Sequence, residues 1–393
     1  MLRYELSHWE WESFFSHLDV VVVGSGIVGL SAAIHLKEQA PTLSILVLDR
    51  GPLPIGASTR NAGFACFGSL SELLDDARHS SREDILALVA LRYQGLQRLR
   101  QRYGDQALGY EALGGYEVFR TSEAATYQAC RAAMDQWNAD LQELTQLQPT
   151  AGPHGLKYGT ATFVAADERI PQTGMQGVAH LLLNRAEGQL HTGKLMHTLL
   201  ARAQALGIRC LGGITIKNMQ ENGAQVVLET AAGWEFAAAR VLVTTNGFAP
   251  HLLPTLPVQP ARNQVLITTP LPGLTLRGCF HYDKGYVYFR NVGDRVLIGG
   301  ARNLDLAGET TDELVSHPAI RKHLEHLLRT VVLPNQDVTI ERAWSGIMGV
   351  GKHKKPIIET VGQRTVAAVR LGGMGVAIGT QVGEQAAELV LQL

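Results

Sequence analysis

A row of four valines running into three spaced glycines constrains this chain more than any other feature. Asp19 to Val23 is apolar on both faces, the pattern of a strand buried in a parallel sheet. Gly24-Ser25-Gly26-Ile27-Val28-Gly29 follows at once, and a helix is predicted from about Ile27 to Gln39. In that setting the first Gly makes the turn. The second lets backbone approach a pyrophosphate, and the third lets helix and strand pack closely. A pyrophosphate would sit on the helix N-terminus, where free amides and the helix dipole favour anions. Pro41 and Thr42 turn the chain, and Ser44 to Leu48 reads as a second buried strand, which completes a βαβ unit. Asp49 ends that strand, twenty residues beyond Gly29. An acidic side chain there accepts hydrogen bonds from ribose hydroxyls and repels a 2′-phosphate, which disfavours NADP. The motif alone does not separate FAD from NAD.

Length and composition bound the rest. A chain of 393 residues is too long for one small domain. It is 46% hydrophobic and 18% charged, which excludes a disordered or fibrous chain. Lys plus Arg (35) nearly cancels Asp plus Glu (36), so no basic excess exists to hold nucleic acid. Glycine is abundant, with 41 residues; many tight turns and close backbone approaches are expected. Cys66, Cys130, Cys210 and Cys279 form no CxxC pair and suit a reducing, cytoplasmic setting. The most apolar run, Leu18 to Ile34, carries the glycine pattern and follows Glu5, Glu10, Glu12 and Asp19 instead of a basic flank. It is not expected to be a signal peptide or an integral membrane span.

Organisation along the chain is interleaved. Met1 to His17 carries Trp9, Trp11, Phe14 and Phe15 and reads as an arm packed on the body. Ser80-Ser81-Arg82-Glu83 predicts a capping box before a helix with Ile85, Val89, Leu96, Leu99 and Tyr103 on one stripe. A second helix carries Tyr127, Cys130, Met134, Trp137, Leu141 and Leu144, and 152–159 reads as loop. Thr192 is the expected N-cap of a third helix ended by Gly207. From Val265 short strands prevail. Tyr286–Phe289 and Val296–Gly299 predict a hairpin, with Tyr286 and Tyr288 on one face. A further helix is expected over Leu314–Thr330, a strand over Val338–Ile340, and Gly372 to Gly383 is expected to lead into a final helix ending at Leu393.

Beyond the second strand lies Gly56-Ala57-Ser58-Thr59-Arg60-Asn61-Ala62-Gly63. With the fingerprint and Asp49 before it, this segment resembles the FAD-dependent D-amino-acid oxidase superfamily, which includes glycine oxidase, sarcosine oxidase and γ-glutamylputrescine oxidase. The likeness continues through Gly188–Gly207, Ile216, Thr244-Thr245-Asn246-Gly247, Gln259–Val265, Trp344-Ser345-Gly346-Ile347-Met348 and Gly372–Ala377. The resemblance implies non-covalent FAD. It implies contacts from Gly24, Gly26, Ile27, Val28, Gly29, Asp49, Arg50, Ala57, Ser58, Thr59, Arg60, Asn61, Ala62 and Gly63. Further contacts are implied from Ile216, Thr245, Asn246, Gly247, Gly346, Met348, Gly373, Met374, Gly375, Val376 and Ala377.

One departure bears on substrate. Where relatives carry an Arg that grips the substrate carboxylate, this chain has Met348. Either another cation does that work, with Arg60, Arg262, Arg290, Arg302 and Lys352 as candidates, or the substrate lacks an α-carboxylate at that end. Tyr286 and Tyr288 are the other candidate pocket residues. His281 reads as a turn residue, and His191 and His197 as structural. No triad or metal-ligand spacing is present, so no metal is expected.

The fold expected is α/β: a Rossmann-like FAD-binding domain from 1–78, 186–255 and 342–393, interleaved with a substrate domain of mixed sheet plus helices from 79–185 and 256–341. The implied reaction is oxidation of a C–N bond in a small amine or amino acid by hydride transfer to flavin N5, with the imine hydrolysed afterwards. O2 or another acceptor would take the electrons, and the oligomeric state, homo-oligomers included, stays open. The alternatives are a 2-hydroxy-acid or glycerol-phosphate-type dehydrogenase and a non-catalytic FAD-binding subunit.

Overall fold

The four valines become the centre of a parallel sheet. The computed structural model describes residues 4–151 and 157–393. Five strands run parallel in the order Arg209–Leu211, Ile45–Leu48, Leu18–Val23, Glu235–Val243 and Thr365–Val369. Val20 to Val23 are all buried, because neighbours lie on both sides and helices or strands cover both faces. The strand Glu235–Val243 serves two partners on one edge. Its first half pairs antiparallel with Val226–Thr230, which pairs with Ile216–Glu221, and its second half pairs parallel with Thr365–Val369. Ile357–Thr360 pairs antiparallel with Thr365–Val369.

The helix Ile27–Gln39 begins directly after Gly26, as the glycine spacing predicts. It packs on the sheet beside the helices Gly375–Gln392 and Arg82–Tyr103. These helices touch through glycines. A β-carbon on Gly383 would lie 2.6 Å from Val28 O, and one on Gly95 2.4 Å from Ala377 O. The segment before the first strand winds from His8 to Phe15, and of its aromatics Phe15 is buried, against Phe236 at 5.0 Å.

A second, eight-stranded sheet has the order Ile340–Val350, Gln259–Thr268, Arg295–Gly300, Val287–Val292, Cys279–Tyr282, Gly115–Arg120, Val178–Asn184 and Phe163–Ala165. It is antiparallel except where Cys279–Tyr282 meets Gly115–Arg120. Period two divides its residues. Phe280, Phe289, Val287, Ile298 and Leu266 point into a core covered by the helix Pro318–Leu327. Glu117, His281, Tyr288, Gly299, Val265 and Trp344 form a cross-strand row on the opposite face, which looks toward the first sheet's unit. Residues 342–350 hydrogen-bond along this second sheet, so the 342–393 stretch contributes to both sheets.

Several local expectations are displaced. The helix Arg82–Tyr103 is capped by Ser81, whose hydroxyl accepts from Asp84 N at 3.1 Å; Ser80 lies outside it. The helix Thr192–Ala205 is capped by His191, with Nδ1 accepting from Lys194 N, because the imidazole reaches the third amide while Thr192 is already helical. The helix expected from Leu314 starts at Pro318, where proline suits the first turn, and its end widens into Leu328–Val332. The last long strand of the second sheet begins at Ile340, not Val338. The hairpin strands are Val287–Val292 and Arg295–Gly300, which shifts the turn to Gly293–Asp294. The loop expected at 152–159 lies, up to residue 156, outside the described residues.

Candidate active site

The C-terminal ends of the parallel strands and the polar row of the second sheet enclose one cavity of about 830 Å³. Its floor is made where Val23, Leu48 and Val243 hand over to loops, the position at which open parallel sheets bind ligands. Gly24, Gly26, Ile27 and Val28 line it from the glycine turn, followed by Asp49 and Arg50 from the second strand's end. Asp49 is held in place: its Oδ2 accepts from Ser25 N at 3.2 Å and Oγ at 2.7 Å, and its Oδ1 from Gly51 N at 3.0 Å. Arg50 lies 3.7 Å over the Phe248 ring on the same side. The short helix Ala57–Arg60 brings Ala57, Ser58, Arg60, Asn61 and Ala62 to the wall. Ser58 Oγ accepts from Ile27 N at 2.9 Å, joining the two helix starts.

The middle and end of the chain complete the cavity. Ile216, Thr245 and Asn246 line it, as do Gly346, Met348, Gly373, Met374, Gly375, Val376 and Ala377. Asn246 adopts a left-handed backbone (φ 48°), which asparagine tolerates better than most residues. Its Oδ1 accepts from Arg370 N at 3.1 Å and Leu371 N at 3.2 Å, so it ties the loops after two neighbouring strands. The helix Gly375–Gln392 has no side-chain cap at its start, and its first residues, Gly375, Val376 and Ala377, line the cavity.

Gly29, Thr59, Gly63 and Gly247 stand one layer behind the wall instead of on it. They are needed for packing. A β-carbon on Gly29 would lie 1.9 Å from Gly24 O, one on Gly63 2.4 Å from Leu190 O, and one on Gly247 2.5 Å from Met348 O. Thr59 donates its hydroxyl to Pro54 O.

The candidate cations separate sharply. Arg262 is not in the cavity: its guanidinium pairs with buried Glu309 at 2.7 Å. Arg290 is buried beside the cavity wall and donates to Ala62 O and Leu190 O. Lys352 is exposed and does not line the cavity. Arg60 does line it, but spends Nε on Ile55 O at 3.0 Å and Nη1 on Ser345 O at 2.9 Å. Arg302 lines it, with its guanidinium 5.8 Å from the Tyr286 ring. Tyr286 and Tyr288 both reach the wall, and Met348 stands beside Asn263, Sδ to Nδ2 3.5 Å.

Some lining residues gave no clear signal in the sequence. Lys354 and Lys284 come from two loops to Glu72, Asp76 and Asp75 on the helix Leu70–Asp76, at 2.9, 2.8 and 3.1 Å. His281 lies in a strand, not a turn. It is buried, lines the cavity and sits 3.7 Å from Glu187. The alternation of Cys279 and His281 against Phe280 and Tyr282 is the sequence signal that could have found it. Burial alone would lower the His281 pKa, but the facing carboxylates of Glu187, Glu72 and Glu117 outweigh it and raise the value above its usual range. Burial drives the Tyr288 phenol upward and keeps the Cys66 thiol protonated.

The residues present fit a flavin dinucleotide. The glycine turn and Asp49 stand at one end, and the starts of the helices Ile27–Gln39 and Gly375–Gln392 line the cavity. Two polar atoms of wall residues, Thr245 Oγ1 and Asn263 Oδ1, are buried without a hydrogen-bond partner in the protein. Among the described residues no group of three or more His, Cys, Asp or Glu could hold a metal, and no helix is long and apolar enough to cross a membrane.

A Rossmann-like sheet sharing its ligand cavity with a second, mixed sheet defines a flavin-dependent oxidoreductase fold. The chain belongs to the family described as FAD dependent oxidoreductase (DAO), whose sequence model matches residues 19–389, and FAD is the cofactor of that family. It is 25% identical over 382 residues to "Probable oxidoreductase OrdL" of Rhizobium meliloti (strain 1021), covering 95% of this chain and 83% of that protein. It is 28% identical to a D-amino acid dehydrogenase of Rhizobium rhizogenes (strain K84 / ATCC BAA-868), covering 87% and 88%. The crystal structure of glycine oxidase from Geobacillus kaustophilus superposes with a TM-score of 0.72 at 18% identity, covering 95% of this chain and 94% of that one.

Proposed function

We propose that this FAD-dependent enzyme oxidises a C–N bond of a small amine or amino acid, with the imine hydrolysed afterwards in water. One observation carries the reading. A single cavity runs from the glycine turn and Asp49 to His281 and Tyr288, so a substrate on the second sheet and a flavin on the first would share one enclosure. FAD, when bound, supplies the acceptor for a hydride leaving the substrate carbon. Gly24, Gly26, Val28 and Ser58 would hold its pyrophosphate, Asp49 its ribose, Ile216 the adenine side, and Gly373–Ala377 the flavin side. Tyr288, Tyr286 and Met348 would shape the substrate end and exclude water.

The charge at that end favours an amine over a 2-hydroxy acid. Lys284 and Lys354 are each neutralised by acids of the helix Leu70–Asp76, and no Arg occupies the Met348 position. Arg302 lines that end without an ion pair, but among the described residues no cluster of unpaired cations surrounds it to hold an anionic substrate. We further propose non-covalent FAD, with O2 or another acceptor taking the electrons. The division into an FAD unit (1–78, 186–255, 342–393) and a substrate unit (79–185, 256–341) belongs to the same reading, with 342–350 shared between the sheets. The four cysteines are free and suit a cytoplasmic enzyme.

The test is anaerobic titration of the yellow protein with amines, D- and L-amino acids and 2-hydroxy acids, following the flavin absorbance. Bleaching by an amine or amino acid is expected. Bleaching by hydroxy acids and by no amine would sink the reading.

A further inference from the structure

Beside the cavity lies a buried pair whose facing atoms satisfy nothing else. Glu187 is 1% exposed and His281 9% exposed. Glu187 Oε1 accepts from Phe67 N at 2.8 Å and Gly68 N at 3.0 Å, which fixes the carboxylate. Its other oxygen, Oε2, has no hydrogen-bond partner, and neither has His281 Nε2, 3.7 Å away. Room for that oxygen depends on Gly115, where a β-carbon would lie 1.9 Å from it. The imidazole is held in register with Tyr288 across the hairpin and packs edge-on against Phe64 at 5.1 Å. A buried carboxylate and imidazole left mutually unsatisfied at a ligand cavity are costly for stability alone.

An amine arrives at neutral pH as an ammonium ion, which has no lone pair to assist departure of a hydride from its carbon. We propose that His281, backed by Glu187, takes one proton from the substrate ammonium. The proposal rests on the amine-oxidising reading above and names its substrate as a primary or secondary amine bound as the cation. One N–H bond of the ammonium breaks, and its electron pair stays on the amine nitrogen. A new N–H bond forms on Nδ1, the ring nitrogen not turned to Glu187, and the resulting imidazolium keeps its Nε2–H side facing Glu187. Nothing is oxidised in this step; oxidation of the carbon follows from the neutral amine.

Other groups set the field at His281. Glu117 lies across the strand pair and is hydrogen-bonded to Ser71. Glu72 is paired with Lys354 at 2.9 Å and faces Arg92 at 4.0 Å. Cys66 and Tyr288 stand nearby with both protons retained. Glu187 is the group in contact, so it is the one whose removal moves the imidazole's titration most.

The experiment is anaerobic stopped-flow reduction of the bound flavin by the most active amine, between pH 5.5 and 10.5, for the native protein, His281→Gln and Glu187→Gln. For the native protein, the second-order rate constant is expected to fall on the acid side as His281 becomes protonated. In His281→Gln it should drop about 100-fold at pH 7. It should then rise about tenfold per pH unit and approach the native value once the free amine itself predominates. In Glu187→Gln the acid limb should survive, moved about one unit lower. Proton NMR of the ring C–H that disappears in His281→Gln gives a second readout without turnover: it should titrate with the limb and shift with it in Glu187→Gln. If His281→Gln loses its flavin, Glu187→Gln and the NMR titration decide. A profile unchanged in His281→Gln, or a limb unmoved in Glu187→Gln, overturns the proposal alone. A native flavin that no amine bleaches overturns the function reading as well.

Discussion

Arg262 and Glu309 form an ion pair at 2.7 Å in which the two side chains are 8% and 0% exposed. The backbone repeats the contact, Arg262 N donating to Glu309 O at 2.8 Å. This arginine therefore ties the strand Gln259–Thr268 to the loop after the hairpin and does not line the cavity. Arg262→Ala should cost about 3–5 kcal/mol, because it leaves a buried carboxylate without its partner. Denaturant unfolding would measure that loss. The order of preferred substrates should not change, whereas a carboxylate clamp would show itself as a selective rise in KM.

Gly29 and Gly56 both belong to cofactor-type segments, yet they should respond in opposite ways. A β-carbon on Gly29 meets Gly24 O at 1.9 Å and Thr244 Oγ1 at 2.7 Å, while one on Gly56 meets nothing within 4 Å. Gly29→Ala should destabilise the fold by about 3 kcal/mol or more through overpacking. Gly56→Ala should leave thermal stability within about 0.5 kcal/mol of native, as an unconstrained surface change does. Comparing the melting temperatures of the two FAD-free proteins separates packing from cofactor contact.

Met348 stands on the cavity wall where a charged clamp is missing. Met348→Arg should turn preference toward substrates with an α-carboxylate. The ratio of kcat/KM for an amino acid to that for its decarboxylated amine should rise about tenfold, the worth of a single charge-assisted contact. An unchanged ratio would mean that the substrate end does not reach Met348.

Lys354 fastens the loop after Val350 to Glu72 and Asp76 at the cavity rim. Burial lowers the Lys354 pKa, but the two carboxylates outweigh it and raise it above the usual 10.5. For Glu72 burial pushes upward, and Lys354 with Arg92 brings the net value below the usual 4.5. The raised lysine contributes below its unfolded pKa and loses its contribution as pH climbs through the folded value. The lowered carboxylate contributes above its unfolded pKa and loses its contribution on acidification. The rim is thus fastened between about pH 4.5 and 10.5. Quenching of flavin fluorescence by acrylamide should be weakest in that window, and Lys354→Met should raise it at pH 7.

The Cys66 thiol is not activated for attachment to a flavin. Cys66 is buried, with its thiol pKa raised well above normal first by burial and then by Glu187. Acid precipitation should leave all the flavin in the supernatant, with the absorbance of free FAD. Flavin retained in the pellet would contradict non-covalent binding.

Much of the glycine-turn end of the cavity was legible in the sequence, since it depends on neighbours in the chain. Four valines, three spaced glycines and Asp49 lie within about thirty residues, and the helix began at Ile27 as the spacing required. The resemblance to the family likewise exposed the absence of an arginine at 348. Caps were read less well, because Ser80 and Ser81, or His191 and Thr192, differ by one residue in register, and only the backbone path decides which side chain reaches the third amide. The His281 end of the cavity was decided by tertiary structure. His281 and Glu187 are separated by 94 residues, and nothing near either one marks it as a partner of the other. Whether Arg262, Arg60 or Lys354 is free to meet a ligand depends on which carboxylates and carbonyls other elements bring to it. A glycine's spacing is a local property of the chain, but a charge's availability is set by what folds against it.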